Sequence, residues 1–299
     1  MMKRLDLKVW FACNNMCLFC VQWDKRFKYA PKTKEQIFKE LEEWRQDWIT
    51  YVVFTWWEPT VHPNILDAMN YAKEIWYTQI QLQTNWRTFS NMEFAKKLVE
   101  AWLNEFWPSL HWFKPETHDN LVQAKWAWKQ VVQWIKNAKK LWLYTVTNTV
   151  ITKQNYKELP MMAVLFTKLW VDQFQFAFPH ILWSAEKNRW KIVPKKSEII
   201  SYVHKALDIW KKAWKICMTE AIPFCFMQGY EWAIAEYKYM PDTKVKDAAW
   251  TVESYAEYRW TEWKAKWPTC KKCKLKNICE WPWREYPEMY WWDEFIPLS

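Results

Sequence analysis

The sequence predicts an α/β protein, a partial (β/α)6 TIM-type barrel with a small C-terminal Cys-rich extension. Short strand-like runs alternate with longer helical segments, which is the pattern of repeated βα units on a parallel sheet. Beyond Lys215 this alternation stops, and the tail from Trp267 is rich in Pro, Cys and aromatic residues. We therefore expect a core domain over residues 1–215 and a loop-rich extension over residues 216–299.

The predicted strands and helices alternate along the core domain. Strands are expected at residues 5–11, 51–55, 79–84, 106–111, 143–151 and 171–178. Helices are expected at residues 33–46, 64–75, 91–101, 117–141, 156–169 and 197–213. In a sheet of this kind the functional site lies at the carboxyl ends of the strands. The loop after the first strand, Glu58 after the second and Asn85 after the third all fall on that edge.

The tryptophan content is abnormal, since 29 Trp stand beside a single Gly, whereas Gly averages about 7% of ordinary chains. Trp76, Trp86 and Trp142 follow helices or a strand where the chain has to turn. A left-handed turn position favours Gly and penalises an aromatic side chain. We therefore hypothesise that most of these residues are Gly in the natural protein, for instance through a UGA codon that the source organism reads as Gly. The tryptophans that stand in ordinary contexts are Trp128, Trp232, Trp260 and Trp283.

Length, charge and cysteine content narrow the class of protein. No run reaches 18 uninterrupted apolar residues, so we expect no membrane span and a cytoplasmic location. The net charge of +10 could suit RNA, but the lysines are spread along helix faces, and a nucleic-acid partner is not favoured. Eight Cys in a reducing compartment indicate metal ligands or buried thiols before disulfides.

Three cysteines near the N-terminus carry the most specific signal. Cys13, Cys17 and Cys20 have the spacing CxxxCxxC directly after the first predicted strand. A closed structural zinc site needs a fourth ligand, and none is nearby. Three thiolates suit a [4Fe-4S] cluster whose fourth iron stays free to bind another group. The loop therefore predicts an iron–sulfur centre with an open coordination position.

Two motifs together resemble those of the radical S-adenosylmethionine (SAM) superfamily. The first is CxxxCxxC, and the second is FTWWEPT at residues 54–60, which is similar to the family's GGEP motif with Trp at both glycine positions. The resemblance covers the chain to about residue 215. It implies a [4Fe-4S] cluster on the three thiolates and SAM on its free iron. Reduction would then cleave SAM to methionine and a 5'-deoxyadenosyl radical that abstracts hydrogen from a substrate.

The resemblance also implies which residues contact SAM. Phe19 would pack against the adenine, and its alternative role is core packing. The backbone at Trp56 and Trp57 would lie against the methionyl group, an approach that requires Gly and that real indoles would block. Glu58 would accept a hydrogen bond from the SAM ammonium.

Three strand-end residues are further candidates. Ser109, after the fourth strand, stands where the family often places a polar group in contact with the ribose, and Asn148 after the fifth strand is comparable. Each could instead make an ordinary strand-end hydrogen bond. His180, at the end of the sixth strand, is a candidate for contact with substrate.

The tail holds a second cysteine group. Cys270, Cys273 and Cys279 have the spacing CxxCx5C and resemble the auxiliary-cluster extension, of SPASM or shorter twitch type, of many radical SAM enzymes. Cys225 is the expected fourth thiolate, with Cys217 as the alternative. Four thiolates suit either a second [4Fe-4S] cluster or zinc. The resemblance favours iron and, with so few cysteines, a single auxiliary cluster.

The leading expectation is a radical SAM enzyme that acts on a peptide or protein and takes electrons from a one-electron donor such as flavodoxin or ferredoxin. An RNA-modifying enzyme of the same superfamily is one alternative, and it would bind tRNA in a salt-dependent way. A non-catalytic scaffold with zinc at both Cys groups is another, although three thiolates leave zinc open. If the Trp residues are real, the protein could be an inactive relative that holds clusters but not SAM.

Overall fold

The computed structural model describes residues 3–21, 23–55, 58–103, 105–213, 215–238, 242–247 and 250–299. The strands are β1 (Lys3–Lys8), β2 (Tyr51–Thr55), β3 (Gln79–Thr84), β4 (Glu105–Pro108), β5 (Val146–Val150), β6 (Gln173–Ala177), β7 (Ile216–Glu220), β8 (Asp242–Lys246) and β9 (Thr251–Val252). The first six lie where the sequence predicts strands. Trp56 and Trp57 fall outside the described residues.

Helices follow most of the strands along the chain. They are α1 (Lys34–Gln46), α2 (Ile65–Glu74), α3 (Met92–Glu100), α4 (Pro115–Val122), α5 (Ala127–Lys140), α6 (Leu159–Lys168), α7 (Ser184–Lys187), α8 (Arg189–Ile192), α9 (Lys196–Lys212), α10 (Ala235–Lys238), α11 (Tyr255–Tyr258) and α12 (Tyr286–Tyr290). The single helix predicted over 117–141 is two helices, because Gln123 and Trp126 adopt left-handed φ angles of 52° and 66° between them. Within the described ranges no helix has the length and apolar character needed to cross a bilayer.

The sheet is a partial barrel of seven parallel strands in sequence order. One hydrogen-bonded sheet runs β4-β3-β2-β1 and a second runs β5-β6-β7. A parallel bridge between Ser109 and Asn148 connects the two where β4 ends. The α/β class and the partial barrel are therefore confirmed. β7 pairs with β6, so the sheet continues past residue 215, and the proposed division of the chain there stays a prediction.

Alternate side chains of a barrel strand face two different places, the hydrophobic core and the interior of the barrel. On β1, Leu5 and Leu7 are fully buried in the hydrophobic core with the helices. Arg4 and Asp6 point the other way and line a central cavity. Successive side chains of a strand face opposite sides, so the period of two places polar residues inside the barrel.

The C-terminal region closes the gap between the first and last barrel strands. β8 pairs in parallel with β1, and Ile234 forms a parallel bridge with Thr219 of β7. Arg259 then donates hydrogen bonds to Glu220 at 3.0 Å and to Glu280 at 2.8 Å. The extension therefore contributes to the wall of the cavity.

Ten tryptophans in the described ranges adopt a backbone conformation that normally requires glycine. They are Trp48, Trp76, Trp86, Trp102, Trp126, Trp142, Trp170, Trp183, Trp281 and Trp291, with φ between 54° and 70°. For an L-residue with a side chain this region costs roughly 1–2 kcal/mol. The three positions that the sequence singled out, Trp76, Trp86 and Trp142, are all in this group.

Helix ends explain several of these conformations. After α2 the amide of Tyr77 bonds to the carbonyl of Ala72 at 2.9 Å, and after α5 the amide of Leu143 bonds to Ala138 at 3.0 Å. These are six-to-one bonds of the Schellman motif, which needs a left-handed residue directly before the donor. That residue is Trp76 in the first case and Trp142 in the second. The hydrogen-bond pattern of the backbone thus calls for glycine there, independently of the side chain.

Candidate active site at the carboxyl ends of the strands

The central cavity has a volume of about 560 Å³ and opens at the carboxyl ends of the barrel strands. This volume lies within the usual range for small-molecule sites, about 300–1,000 Å³. The predicted site residues that line it are Cys13, Cys17, Cys20, Phe19, Ser109, Asn148 and His180. The barrel strands, the loops after them and the extension therefore bring residues from distant parts of the chain to one cavity.

Backbone contacts hold the loop that carries the three cysteines. The amides of Met16 and Leu18 donate to the carbonyls of Val122 and Leu121 at the end of α4, each at 2.9 Å. On the other side, the amide of Ser184 donates to the Cys20 carbonyl at 3.1 Å. Because both sides of the loop are anchored, the three thiols are presented from a fixed backbone.

Two arginines that the sequence analysis did not single out bind this loop. Arg26 donates to the carbonyls of Asn15, at 3.1 Å, and of Cys13. Arg87 donates to the Asn15 side chain at 3.0 Å and to the Asn14 carbonyl. Guanidinium groups near thiolates favour the charged form of the thiols. The only signal in the sequence was the place of Arg87 directly after the third strand.

The thiols lie close enough to affect one another's ionisation. Burial raises the pKa of Cys13 to about 12, with the Glu58 carboxylate acting in the same direction and Arg26 opposing it. Burial also raises the pKa of Cys17 well above its usual value, and Cys13 and Cys20 add to the effect. Neighbouring thiols such as Cys13 and Cys17, which resist ionisation without a cation, are suited to metal binding, because a metal deprotonates its ligands.

Glu58 is buried beneath the cysteine loop and does not line the cavity. Its carboxylate accepts hydrogen bonds from the amide of Thr60 at 3.1 Å, the amide of Asn85 at 2.7 Å and the hydroxyls of Thr60 and Thr84. Its own amide donates to the Ala12 carbonyl at 3.2 Å. Glu58 therefore connects the ends of β2 and β3 to the cysteine loop. Its expected contact with SAM stays a prediction.

Phe19, Ser109 and Asn148 lie together on one wall of the cavity. The ring of Phe19 meets that of His111 edge to face, with centroids 4.6 Å apart. The Oδ1 atom of Asn148 is buried and has no hydrogen-bond partner among the described residues. A buried acceptor without a partner costs about 1–3 kcal/mol, so this oxygen is suited to a ligand donor.

His180 lines the cavity where β6 leads towards the extension. Its ring stacks on Trp283 with centroids 4.0 Å apart, and its Nε2 is 3.7 Å from a Glu285 carboxylate oxygen. Burial, with Lys264 and Arg259 nearby, holds its pKa well below the usual range. A neutral imidazole at the cavity wall can donate or accept a hydrogen bond, which suits the expected role in substrate contact.

The second cysteine group assembles from two distant segments. Burial raises the pKa of Cys225 to about 12, and the neighbouring thiols of Cys279, Cys270 and Cys273 act in the same direction. For Cys217, burial alone raises the pKa to about 12. Cys225 therefore shares an electrostatic environment with the tail cysteines, whereas Cys217 is an isolated thiol on β7.

Neither cysteine group forms a site for a single metal ion in the part of the chain described above. A cubane cluster has a different requirement, because each thiolate binds its own iron and the ligands stand farther apart than around one ion. The first group has three thiols, two arginines and an adjoining cavity, and this donor set fits a [4Fe-4S] cluster with an open iron. The second group has four thiols and fits a fully ligated cluster.

Residues 7–166 match the family model of the radical SAM superfamily. A protein of Saccharolobus solfataricus named "Probable GTP 3',8-cyclase" is 26% identical over 177 residues, which are 59% of this chain and 56% of that protein. The chain thus spans about half the length of the curated relatives it matches.

Solved structures resemble the whole chain. Streptococcus suis SuiB bound to S-adenosylmethionine aligns with a TM-score of 0.68 at 14% identity, covering 93% of this chain and 72% of that one. Native anSMEcpe with bound AdoMet aligns with a TM-score of 0.64 at 16% identity, covering 98% of this chain and 96% of that one. At these identities the similarity is one of fold.

Proposed function

This chain belongs to the radical SAM superfamily, and we propose that it is an enzyme with a [4Fe-4S] cluster on Cys13, Cys17 and Cys20, SAM beside it, and substrate in the barrel. The observation that carries the proposal is that these three thiols line one end of the central cavity. When bound and reduced, such a cluster supplies the electron that cleaves SAM and so permits hydrogen abstraction from a substrate.

The chain's own residues prepare this site in two ways. Arg26 and Arg87 bind the backbone and the Asn15 side chain of the cysteine loop, and the charge of Arg26 partly opposes the rise that burial causes in the pKa of Cys13. Glu58 fixes the loop to the ends of β2 and β3 through its carboxylate and its amide. These contacts hold the three cysteine ligands in position before the cofactor binds.

The wall formed by Phe19, Ser109 and Asn148 is the proposed SAM site. Phe19 offers an aromatic face or edge to the adenine, and the unpartnered Asn148 oxygen accepts a hydrogen bond from the cofactor. The backbone at Trp56 and Trp57 belongs to this proposal on the strength of the GGEP-like motif alone, since both lie outside the described residues.

The extension, residues 216–299, is proposed to hold one auxiliary [4Fe-4S] cluster, as in SPASM or twitch regions. Cys225, Cys270, Cys273 and Cys279 are the proposed ligands. The mutual influence of their thiols supports this set over one that uses Cys217. Four soft thiolates also bind zinc, so metal analysis of the purified protein decides the identity of the metal.

A peptide or protein is the proposed substrate. SuiB, which has a similar fold, is known in complex with its precursor peptide SuiA, and the cavity here is bounded by the extension as well as by the barrel. A nucleotide is the second candidate, favoured by the name of the curated relatives, "Probable GTP 3',8-cyclase". The proposed electron donor is flavodoxin or ferredoxin, and the proposed location is the cytoplasm.

The test is formation of 5'-deoxyadenosine from SAM by anaerobically reconstituted, dithionite-reduced protein. The protein is made from a gene that carries Gly at positions 56 and 57. In this background we expect product from the otherwise unchanged protein and from Cys217→Ala, and none from Cys17→Ala. Peptide extracts and GTP are then added separately, and the one that increases turnover identifies the substrate class. A protein with full iron and sulfide that forms no product under any of these conditions would contradict the proposal and favour a metal-binding scaffold.

A further inference from the structure

Arg4 is a cation in the wall of the central cavity that has no anionic partner. The residue is half-buried, and it lines the same cavity as the three thiols of the cysteine loop. In the described ranges no carboxylate oxygen lies within 4.0 Å of its guanidinium, and no residue forms a hydrogen bond with it. Its Nε atom is also buried away from water. Removing a charge from water is costly unless it is paired, so this position favours an anion from outside the chain.

The other charged side chains in the described part of the cavity wall do have partners. Asp6, on the same face of β1, accepts a hydrogen bond from a threonine hydroxyl of β2. Glu220 and Glu236 form ion pairs with Arg259, at 3.0 Å and 3.5 Å. Each carboxylate of this wall is thus engaged within the protein, and none of them is engaged by Arg4.

The surroundings of Arg4 contain a second donor without an acceptor. The Cζ atom of Arg4 is 5.7 Å from the centre of the Tyr51 ring, near the outer limit of about 6 Å for a cation–π contact. The Tyr51 hydroxyl donates to Oε1 of Gln81 at 2.6 Å, and Nε2 of the same amide is buried without a hydrogen-bond partner. Gln81 is fully buried behind the cavity wall, so its N–H group adds positive potential and not a direct contact. Such surroundings favour a ligand group that only accepts hydrogen bonds, as ionised carboxylates do.

The position of Arg4 limits the shape of that ligand. Arg4 is near the amino end of β1, four residues before the strand ends at Lys8 and leads into the cysteine loop. At about 3.3 Å per residue, this is roughly 13 Å along the strand. A guanidinium is a planar fork that binds a carboxylate or a phosphate through two parallel hydrogen bonds. A ligand that reaches from the thiols to Arg4 is therefore an extended molecule whose anionic group is remote from the cluster.

We propose that Arg4 binds an anionic group of the substrate, a carboxylate or a phosphate, at the amino end of the barrel. This inference rests on the proposed function, which places the substrate in the barrel. A peptide would supply the carboxylate and a nucleotide the phosphate. Binding of the remote anion holds the rest of the substrate in place towards the three thiols. Arg4 is thus a residue that selects and positions the substrate.

The experiment measures the binding of small probes by isothermal titration calorimetry. It uses the full chain with Gly at positions 56 and 57, anaerobically reconstituted and saturated with SAM. GTP is compared with guanosine, and triglutamate with triglutamine, both peptides being blocked at their ends. We expect at least one of the two anionic probes to bind, and its neutral counterpart to bind about tenfold more weakly or not at all.

Arg4→Met should weaken the binding of that anionic probe by about tenfold or more. Arg4→Lys should have a smaller effect, because the charge remains while the planar fork is lost. The matched control is Lys3→Met, which removes an exposed cation from the neighbouring position on the other face of β1. It should bind the probe as the parent does.

The outcomes separate the role of Arg4 from the proposed activity. The inference is overturned if neither anionic probe binds the parent with a Kd below about 1 mM. Equal affinities of the parent and Arg4→Met, or equal losses in Arg4→Met and Lys3→Met, also overturn it. Arg4→Met that is less stable than the parent in urea without probe would contradict it too, since it would show a structural partner. A parent that binds the probe through Arg4 but forms no 5'-deoxyadenosine overturns the proposed activity alone.

Discussion

Five of the left-handed tryptophans project into solvent, and their replacement by Gly should stabilise the protein strongly. They are Trp48, Trp76, Trp142, Trp170 and Trp291, and they are between 72% and 94% exposed. Because these indoles are largely outside the core, their removal sacrifices little buried apolar surface. What it removes is the steric conflict between Cβ and the backbone at positive φ.

The size of the effect follows from the number of such positions. Each left-handed residue costs roughly 1–2 kcal/mol, and each Gly loses roughly 0.5–1 kcal/mol of backbone entropy, so five substitutions are worth about 4 kcal/mol in all. The total stability of a domain is about 5–15 kcal/mol, so the gain is a large fraction of the whole. Trp291 adds to it, because its ψ of −166° lies in a region that is essentially reserved for Gly.

Urea unfolding of the parent and of the five-fold Gly variant measures this gain. The variant should unfold at a higher midpoint concentration of urea, with the same dependence of the unfolding free energy on urea concentration. A three-fold control, Trp190→Gly, Trp260→Gly and Trp267→Gly, also removes exposed indoles, but from positions that are not left-handed. The control should be neutral or less stable, since Gly loses more backbone entropy on folding. Equal midpoints for the parent and the five-fold variant would refute the reasoning.

The codon hypothesis has a separate test in peptide mass spectrometry of the protein from its natural source. We expect Gly at positions 76, 86 and 142, and at 56 and 57 in the GGEP-like motif. Trp masses at 56, 57 and 86 would falsify the hypothesis. The conformational strain would then be real, and SAM binding at the motif would be in doubt.

Three further predictions concern the extension and the thiols. Cys225→Ala should remove the auxiliary iron and Cys217→Ala should not, as iron analysis of each reconstituted variant will decide; equal losses would count against this ligand set. Arg259→Met should cost about 1.5–3 kcal/mol in urea unfolding, because Glu220 and Glu236 lose their contact with the guanidinium while Glu280 keeps its ion pair with Lys264; a loss under 1 kcal/mol would mean that the two carboxylates find other partners. Cofactor-free protein should lose stability as pH rises above 9, since the Cys217 thiol ionises near pH 9 when unfolded but near 12 when folded; a thermal midpoint that does not change between pH 8 and 10 would contradict this.

The sequence predicted helices and strands well where the signal lies within a short stretch of the chain. The first six strands fall where short apolar runs are bounded by turn residues, and Thr33 forms the capping box with Gln36 that begins α1. The division of the long helix at Gln123 was missed, because glutamine carries no strong turn signal. The strand over residues 216–220 was also missed as part of the barrel, since its pairing with β6 is a contact between distant elements.

The same distinction between local and long-range features applies to the candidate site. The cysteine spacing was readable because neighbouring ligands on one loop are a local pattern, and the sequence alone therefore determined the chemistry of the first cluster and the family. The contacts of Arg26 and Arg87 with the cysteine loop and the burial of Glu58 depended on the tertiary structure. A residue type states which hydrogen bonds and charges are available, but only the folded chain decides which distant groups come within reach of them and which are removed from water.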